Sequence, residues 1–117
     1  MMREIKFRAW DKACGGMVVA PWKLYLNGGV SIDGTWATAD VVLMQYTGLT
    51  DRNGKEIYEG DIVKNESGLP ISEVRYSVDL ARFMLFRGFN GWSLSGVESV
   101  QVIGNIYENP DLLETSE

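Results

Sequence analysis

The stretch Leu43-Met44-Gln45-Tyr46-Thr47-Gly48-Leu49-Thr50-Asp51-Arg52-Asn53-Gly54-Lys55-Glu56-Ile57-Tyr58-Glu59-Gly60-Asp61-Ile62-Val63 decides the fold. It opens on the most apolar run of the chain, Val41 to Tyr46, which reads as a core strand. Asn53-Gly54 supplies residues that tolerate positive φ, as a tight turn requires. Gly60-Asp61 is a second turn, and Ile62-Val63-Lys64 begins another strand. Apolar runs of strand length between closely spaced turn signals are the pattern of an all-β barrel or sandwich.

The pattern continues on both sides. Upstream, Ile5, Phe7 and Ala9 alternate with Glu4, Lys6 and Arg8, predicting an amphipathic strand over 4–10 whose alternation Trp10 breaks on the polar side. Lys12 to Gly16 form a turn. Met17 to Ala20 and Trp22 to Leu26 are short apolar runs around Pro21, a residue that favours an edge strand or a break. Asn27-Gly28-Gly29 turns the chain into Val30 and Ile32, and Asp33-Gly34 turns it again. Residues 33–40 are the least patterned. Downstream, Val74, Tyr76 and Val78 alternate with polar neighbours, Ala81 to Arg87 forms another strand, and Gly88 to Gly91 turns into Trp92 to Leu94. Val100, Val102 and Ile103 form the last strand, and Asn109-Pro110-Asp111 opens a short helical turn with Pro at its first position. No helical periodicity of ten residues or more appears. The expectation is a mainly β fold with short or no helices, in one domain over 1–117.

Composition bounds the chemistry. The chain has 117 residues, 45% of them apolar. A domain of this size buries roughly 65% of its unfolded surface, enough for one core without staples. One cysteine, Cys14, rules out an internal disulfide and fits a reducing compartment. There are no histidines. That removes imidazole acid–base catalysis, Ser-His and Cys-His nucleophiles, and every His-containing zinc site. No cofactor is expected, and no apolar run approaches the ~18 residues of a membrane span. The charged start Arg3-Glu4-Ile5-Lys6-Phe7-Arg8 lacks the apolar region of a secretory signal, so a cytoplasmic location is expected. The net charge is −5, with four basic and two acidic residues in 1–20 and four acidic and no basic ones in 108–117. Such a surface is a poor default partner for a phosphate backbone.

Three blocks together resemble the YopX-like family of phage and prophage proteins: Arg3-Glu4-Ile5-Lys6-Phe7-Arg8-Ala9-Trp10-Asp11, the stretch Leu43 to Val63, and Val102-Ile103-Gly104-Asn105-Ile106-Tyr107-Glu108-Asn109-Pro110-Asp111-Leu112-Leu113. Segments 12–42 and 64–101 carry no such signature. The resemblance implies SH3-like barrel modules, self-association into a homo-oligomer, and a cytoplasmic setting in a bacterial host. It implies no enzyme activity, cofactor or catalytic residue.

Four constellations carry competing readings. Asp51, Glu56, Glu59 and Asp61 offer oxygens to a hard cation. Asp51-Arg52-Asn53-Gly54 begins like a calcium loop, but Lys55 and Glu56 stand where Asx and Gly belong. Turn caps and solvated charge are the favoured account, with no metal site. Arg3, Lys6, Arg8 and Trp10 are the candidate nucleic-acid contacts, cations tracking phosphates beside a stacking ring; core, rim or subunit-interface filling is favoured for the aromatics. The run Arg82-Phe83-Met84-Leu85-Phe86-Arg87 is apolar on both faces and needs cover on both. A partner subunit or the chain itself can supply it. Cys14 has only Lys12 nearby to activate it and reads as inert. The favoured function is a self-associating, non-enzymatic protein that binds a host or phage protein; the alternative is a nucleic-acid-binding module.

Overall fold

The turn chemistry of the sequence recurs in the computed structural model, which describes residues 4–37, 40–66, 68–94 and 100–114. Among these residues there are twelve strands and one four-residue helix, a mainly β fold of the small, barrel-like kind. No helix among them is long and apolar enough to cross a membrane. The chain divides into two compact units, Phe7–Met44 and a second made of the N-terminal residues to Lys6 with Gln45–Glu117. Neither boundary coincides with a change in composition.

The Phe7–Met44 unit holds β1 (Phe7–Asp11), β2 (Gly16–Met17), β3 (Trp22–Leu24), β4 (Val30–Ile32), β5 (Thr35–Trp36) and the start of β6 (Val41–Thr50). Asp11 accepts the Ala13 N–H at 2.9 Å and tightens the β1–β2 turn. Strands β3, β4 and β5 form an antiparallel meander. Its second turn is Asp33-Gly34, both at positive φ (51° and 86°), a two-residue loop matched to the twist of the paired strands. Two expectations change here. The first strand starts at Phe7 rather than residue 4, and Trp10 is buried (7% exposed) rather than on a polar face. Alternation fails because β1 is covered on both sides: Ala9 is buried too, and the Arg8 guanidinium rests on the Met44 sulfur at 3.5 Å. The unpatterned stretch 33–40 contains β5, too short to register as a period.

In the other unit, the end of β6 pairs with β7 (Glu56–Tyr58). Strands β8 (Asp61–Asn65), β9 (Ser72–Ser77), β10 (Arg82–Arg87), β11 (Asn90–Ser93) and β12 (Val100–Asn105) form an antiparallel sheet in the order β11-β10-β9-β8-β12. Helix α1 (Asp111–Glu114) follows Pro110 as the sequence predicts. The core is Ile57, Val63, Val74, Leu85, Leu94, Val100 and Val102, with Phe83 and Trp92 packed against it. The chain itself closes the other face of β10. Met84 is buried, and the Phe86 ring lies on Gly91 with the Arg75 guanidinium 4.6 Å from its centre. Strand limits differ from the sequence: β9 ends at Ser77 and not at Val78, and β11 already begins at Asn90. β6 continues to Thr50 through an irregularity around Gly48 (φ 91°), and β7 was not anticipated because three residues between two turns show no periodicity.

Strand β12 ends on a lattice of side-chain caps. Asn105, buried, accepts the N–H groups of Tyr107 (3.0 Å) and Glu108 (2.9 Å), and Asn109 accepts the Asn105 N–H at 3.2 Å. Gly104 admits this approach: a methyl group there would sit 2.8 Å from Asn109 Cγ. Gly104→Ala is expected to lower the unfolding free energy by about 2 kcal/mol, read from the urea midpoint, with partial recovery in the Gly104→Ala/Asn109→Ala double variant. An unchanged midpoint would show that the cap lattice yields freely.

Candidate functional site

The basic strand is largely committed to contacts of its own. Arg3 lies outside the described residues. Lys6, half-buried, pairs with Glu56 at 2.5 Å and stands 5.1 Å over the Tyr46 ring. Glu56 also accepts the Tyr58 hydroxyl at 3.1 Å, and the Tyr58 and Tyr46 rings are 5.5 Å apart. The hydrogen bond to Glu56 raises the Lys6 pKa above the usual lysine value, and the same bond lowers that of Glu56. A phosphate would have to displace that carboxylate. Arg8 rests on Met44 and Trp10 is buried, so the ring proposed for base stacking offers little free face. Of the three described candidates, Lys6 is ion-paired and Trp10 is buried.

The acidic cluster builds turns. Asp51, 6% exposed, accepts the N–H groups of Asn53 (2.8 Å) and Lys55 (2.9 Å) through Oδ1 and that of Val102 (2.8 Å) through Oδ2. Burial alone would raise its pKa; the donors from Val102, Lys55 and Asn53, with the Lys55 charge, outweigh burial and hold the carboxyl below the usual carboxylate range. Asp61 accepts the Tyr58 N–H at 2.7 Å and closes the Gly60 turn, as expected for a cap. Glu59 accepts the Gln45 N–H at 3.3 Å. These oxygens face backbone donors, which is the chemistry of a cap and not of a cation cage. Cys14 is exposed in the β1–β2 turn.

The feature that the sequence did not reveal is a groove of about 410 Å³ lined by Gln45, Thr47, Leu49, Tyr76, Ala81, Arg82, Phe83 and Leu94. It arises from strand alternation. Val74 and Leu85 face each other in the core, and two residues along the same face come Tyr76 and Phe83, directly paired. There the core face runs out into the open: the two rings meet edge to face at 5.1 Å, Tyr76 is 45% exposed and Leu49 is 38% exposed. Ala81 at its edge sits at φ 55°, a strained setting for a residue with a Cβ. Arg82 makes no ion pair among the described residues. Alternation alone marks Tyr76 and Phe83 as core. Among the described residues, the packing leaves Tyr76 exposed and Phe83 only partly buried.

A family model described as YopX protein matches residues 21–114. Two solved structures are similar to this chain. Protein EF1440 from Enterococcus faecalis is 29% identical, with a TM-score of 0.64, over 96% of this chain and 99% of that one. Protein yopX from Bacillus subtilis is 25% identical, with a TM-score of 0.63, over 99% of this chain and 100% of that one. No curated protein matches the chain. The match covers the second and third quoted blocks and leaves Arg3 to Asp11 outside.

The cap geometry predicts an acid response. Asp51 and Glu56 bind protons less tightly in the fold than in the unfolded chain. Their stabilisation is complete above the ordinary carboxylate range and is lost as pH falls through their lowered folded values. Glu73, raised by burial with Arg75 offsetting in part, has the opposite sign: it favours the fold at low pH and less so as pH rises through its folded value. Asp51→Asn places an amide donor against backbone donors and is expected to cost about 2–3 kcal/mol at pH 7. Urea midpoints from pH 6 to pH 3 should fall less steeply for Asp51→Asn than for the unaltered protein; parallel slopes would remove Asp51 from the acid response.

Proposed function

We propose a function on the premise that this chain belongs to the YopX protein family. It is a phage- or prophage-encoded, non-enzymatic protein of the bacterial cytoplasm that self-associates and binds a host or phage protein. The five-stranded sheet of its larger unit is read as an SH3-like barrel module.

The observation that carries partner binding is a preorganised aromatic surface in the Phe7–Met44 unit. Trp36 is 62% exposed, and its ring stacks at a tilt on Tyr25, 4.9 Å centre to centre. A Cβ at Gly29 would meet the same ring at 2.7 Å, so ring and backbone are in close contact. Leu24 and Leu26, the sequence neighbours of Tyr25, are 45% and 109% exposed. Rings fixed in advance lose little freedom on binding, and Trp and Tyr are the residues most often found at the energetic centre of protein interfaces. The nucleic-acid reading has less support, since Lys6, Arg8 and Trp10 are engaged within the chain.

The test compares tagged protein with its Trp36→Ala variant in pull-downs from host lysate, with absorbance at 260 nm recorded. The expected result is a protein retained by the unaltered chain, lost with Trp36→Ala, and free of nucleic acid. Equal capture by both, or capture of nucleic acid alone, would contradict the reading.

A further inference from the structure

The groove beside the β9–β10 turn joins an apolar surface to a few polar groups, and its chemistry selects a class of ligand. Its volume of about 410 Å³ falls within the range of small-molecule clefts, roughly 300–1,000 Å³. It exceeds the ~150 Å³ cavity that accepts a benzene ring, so it has room for a ring and a short arm. The apolar part is set by the sheet. Tyr76 and Phe83 are paired across β9 and β10 and meet edge to face at 5.1 Å. Leu94 is buried and belongs to the core cluster against which Phe83 packs. Thr47 adds no polar demand: its hydroxyl donates to the Ile57 carbonyl at 2.8 Å and accepts the Leu49 N–H at 3.2 Å. A third ring placed against the pair can take the edge-to-face or offset geometry that aromatic rings prefer.

The polar part is small and uncommitted. Among the described residues, the Gln45 side-chain amide, the Tyr76 hydroxyl and the Arg82 guanidinium make no hydrogen bond or ion pair within the chain. Arg82 is the one charged residue among the described residues that line the groove. Asp79, in the same turn, is not part of the lining and forms no ion pair with Arg82. In a chain of net charge −5, a groove with one cation and no carboxylate is complementary to a single negative charge. A guanidinium presents a planar fork that fits a carboxylate through two parallel hydrogen bonds, whereas the second charge of a phosphate would find no further cation here. Ala81, next to Arg82, is held at φ 55°, and backbone strain of this kind gathers at ligand sites.

We propose that this groove binds an aromatic carboxylate, its acid group on Arg82 and its ring against Leu49, Tyr76 and Phe83. A free aromatic acid and the C-terminal residue of a peptide share this chemistry. The site does not depend on partner binding through Trp36.

Amide proton–nitrogen NMR spectra of the full chain test it, with phenylpropionate, phenylpropanamide and acetate as probes. Fragments of this size bind at about millimolar strength, so each probe is titrated to about 10 mM. Phenylpropionate should shift the amide signals of Leu49, Tyr76, Arg82 and Phe83, and should bind about fivefold or more tightly than the neutral amide. Acetate, a charge without a ring, should leave those signals in place. Arg82→Gln should bring the acid down to the level of the amide, and Arg82→Lys should restore only part of the difference. Arg82 is exposed, so both variants should keep the dispersed spectrum of the unaltered protein. The comparison of acid, amide and acetate uses the unaltered chain, and it decides alone if a variant fails to fold. A short peptide ending in phenylalanine that binds more tightly than phenylpropionate assigns the site to a chain terminus; equal or weaker binding assigns it to a free acid. Equal affinity for acid and amide, shifts as large with acetate as with phenylpropionate, or no shift at the four amides would overturn the proposal.

Discussion

One buried carboxylate holds together parts of the chain far apart in sequence. Asp51 bonds forward to Asn53 and Lys55, closing its own turn, and across to Val102, 51 residues away in β12. The backbone reinforces the join: Arg52 donates to the Val100 carbonyl at 2.9 Å, and Asp51 donates to Lys55 at 2.8 Å. Each bond compensates part of the cost of burying a charge, and a buried donor left without its acceptor costs about 1–3 kcal/mol. The order of the sheet follows from this join. β12 lies beside β8, and Gly60, in the turn before β8, receives the Ile106 N–H at 2.9 Å and donates to Val74 at 2.8 Å. A second polar centre at Asn105 and Asn109 then closes the end of β12.

Those polar centres occupy the blocks that make the chain recognisable. Asp51, Asp61, Gly104, Asn105 and Asn109 all lie in the second and third blocks, and each has a task in shaping the backbone. The motif therefore records architecture more than chemistry. The exposed apolar surfaces lie mostly elsewhere: Tyr25, Leu26 and Trp36 in segment 12–42, and Tyr76, Val78, Leu80 and Phe89 in segment 64–101.

What the sequence made legible follows the reach of each interaction. Turns at Asn27–Gly29, Asp33–Gly34, Asn53–Gly54 and Gly60–Asp61 depend on adjacent residues and were read correctly. Longer strands announce themselves by alternation, as β9 did, or by apolar runs between turn signals, as β8, β10 and β12 did. The short strands β5 and β7 did not, because two or three residues have no period. Trp10 was misplaced because alternation assumes one wet face, and β1 has none. The groove was invisible for a related reason. Tyr76 and Phe83 continue the core pattern of β9 and β10, and only the tertiary arrangement leaves that end of the face open. The Asp51–Val102 bond spans half the chain and has no local signal.

The central claim is that Asp51 ties its turn to β12 as one cooperative unit, and backbone amide hydrogen exchange at pH 7 tests it most directly. The N–H groups of Val102, Asn53 and Lys55 should exchange only through global unfolding, with protection equal to that of core amides such as Val63. Exchange of Asn53 and Lys55 at the rate of an open surface turn, with Val102 well below the core level, would contradict the account.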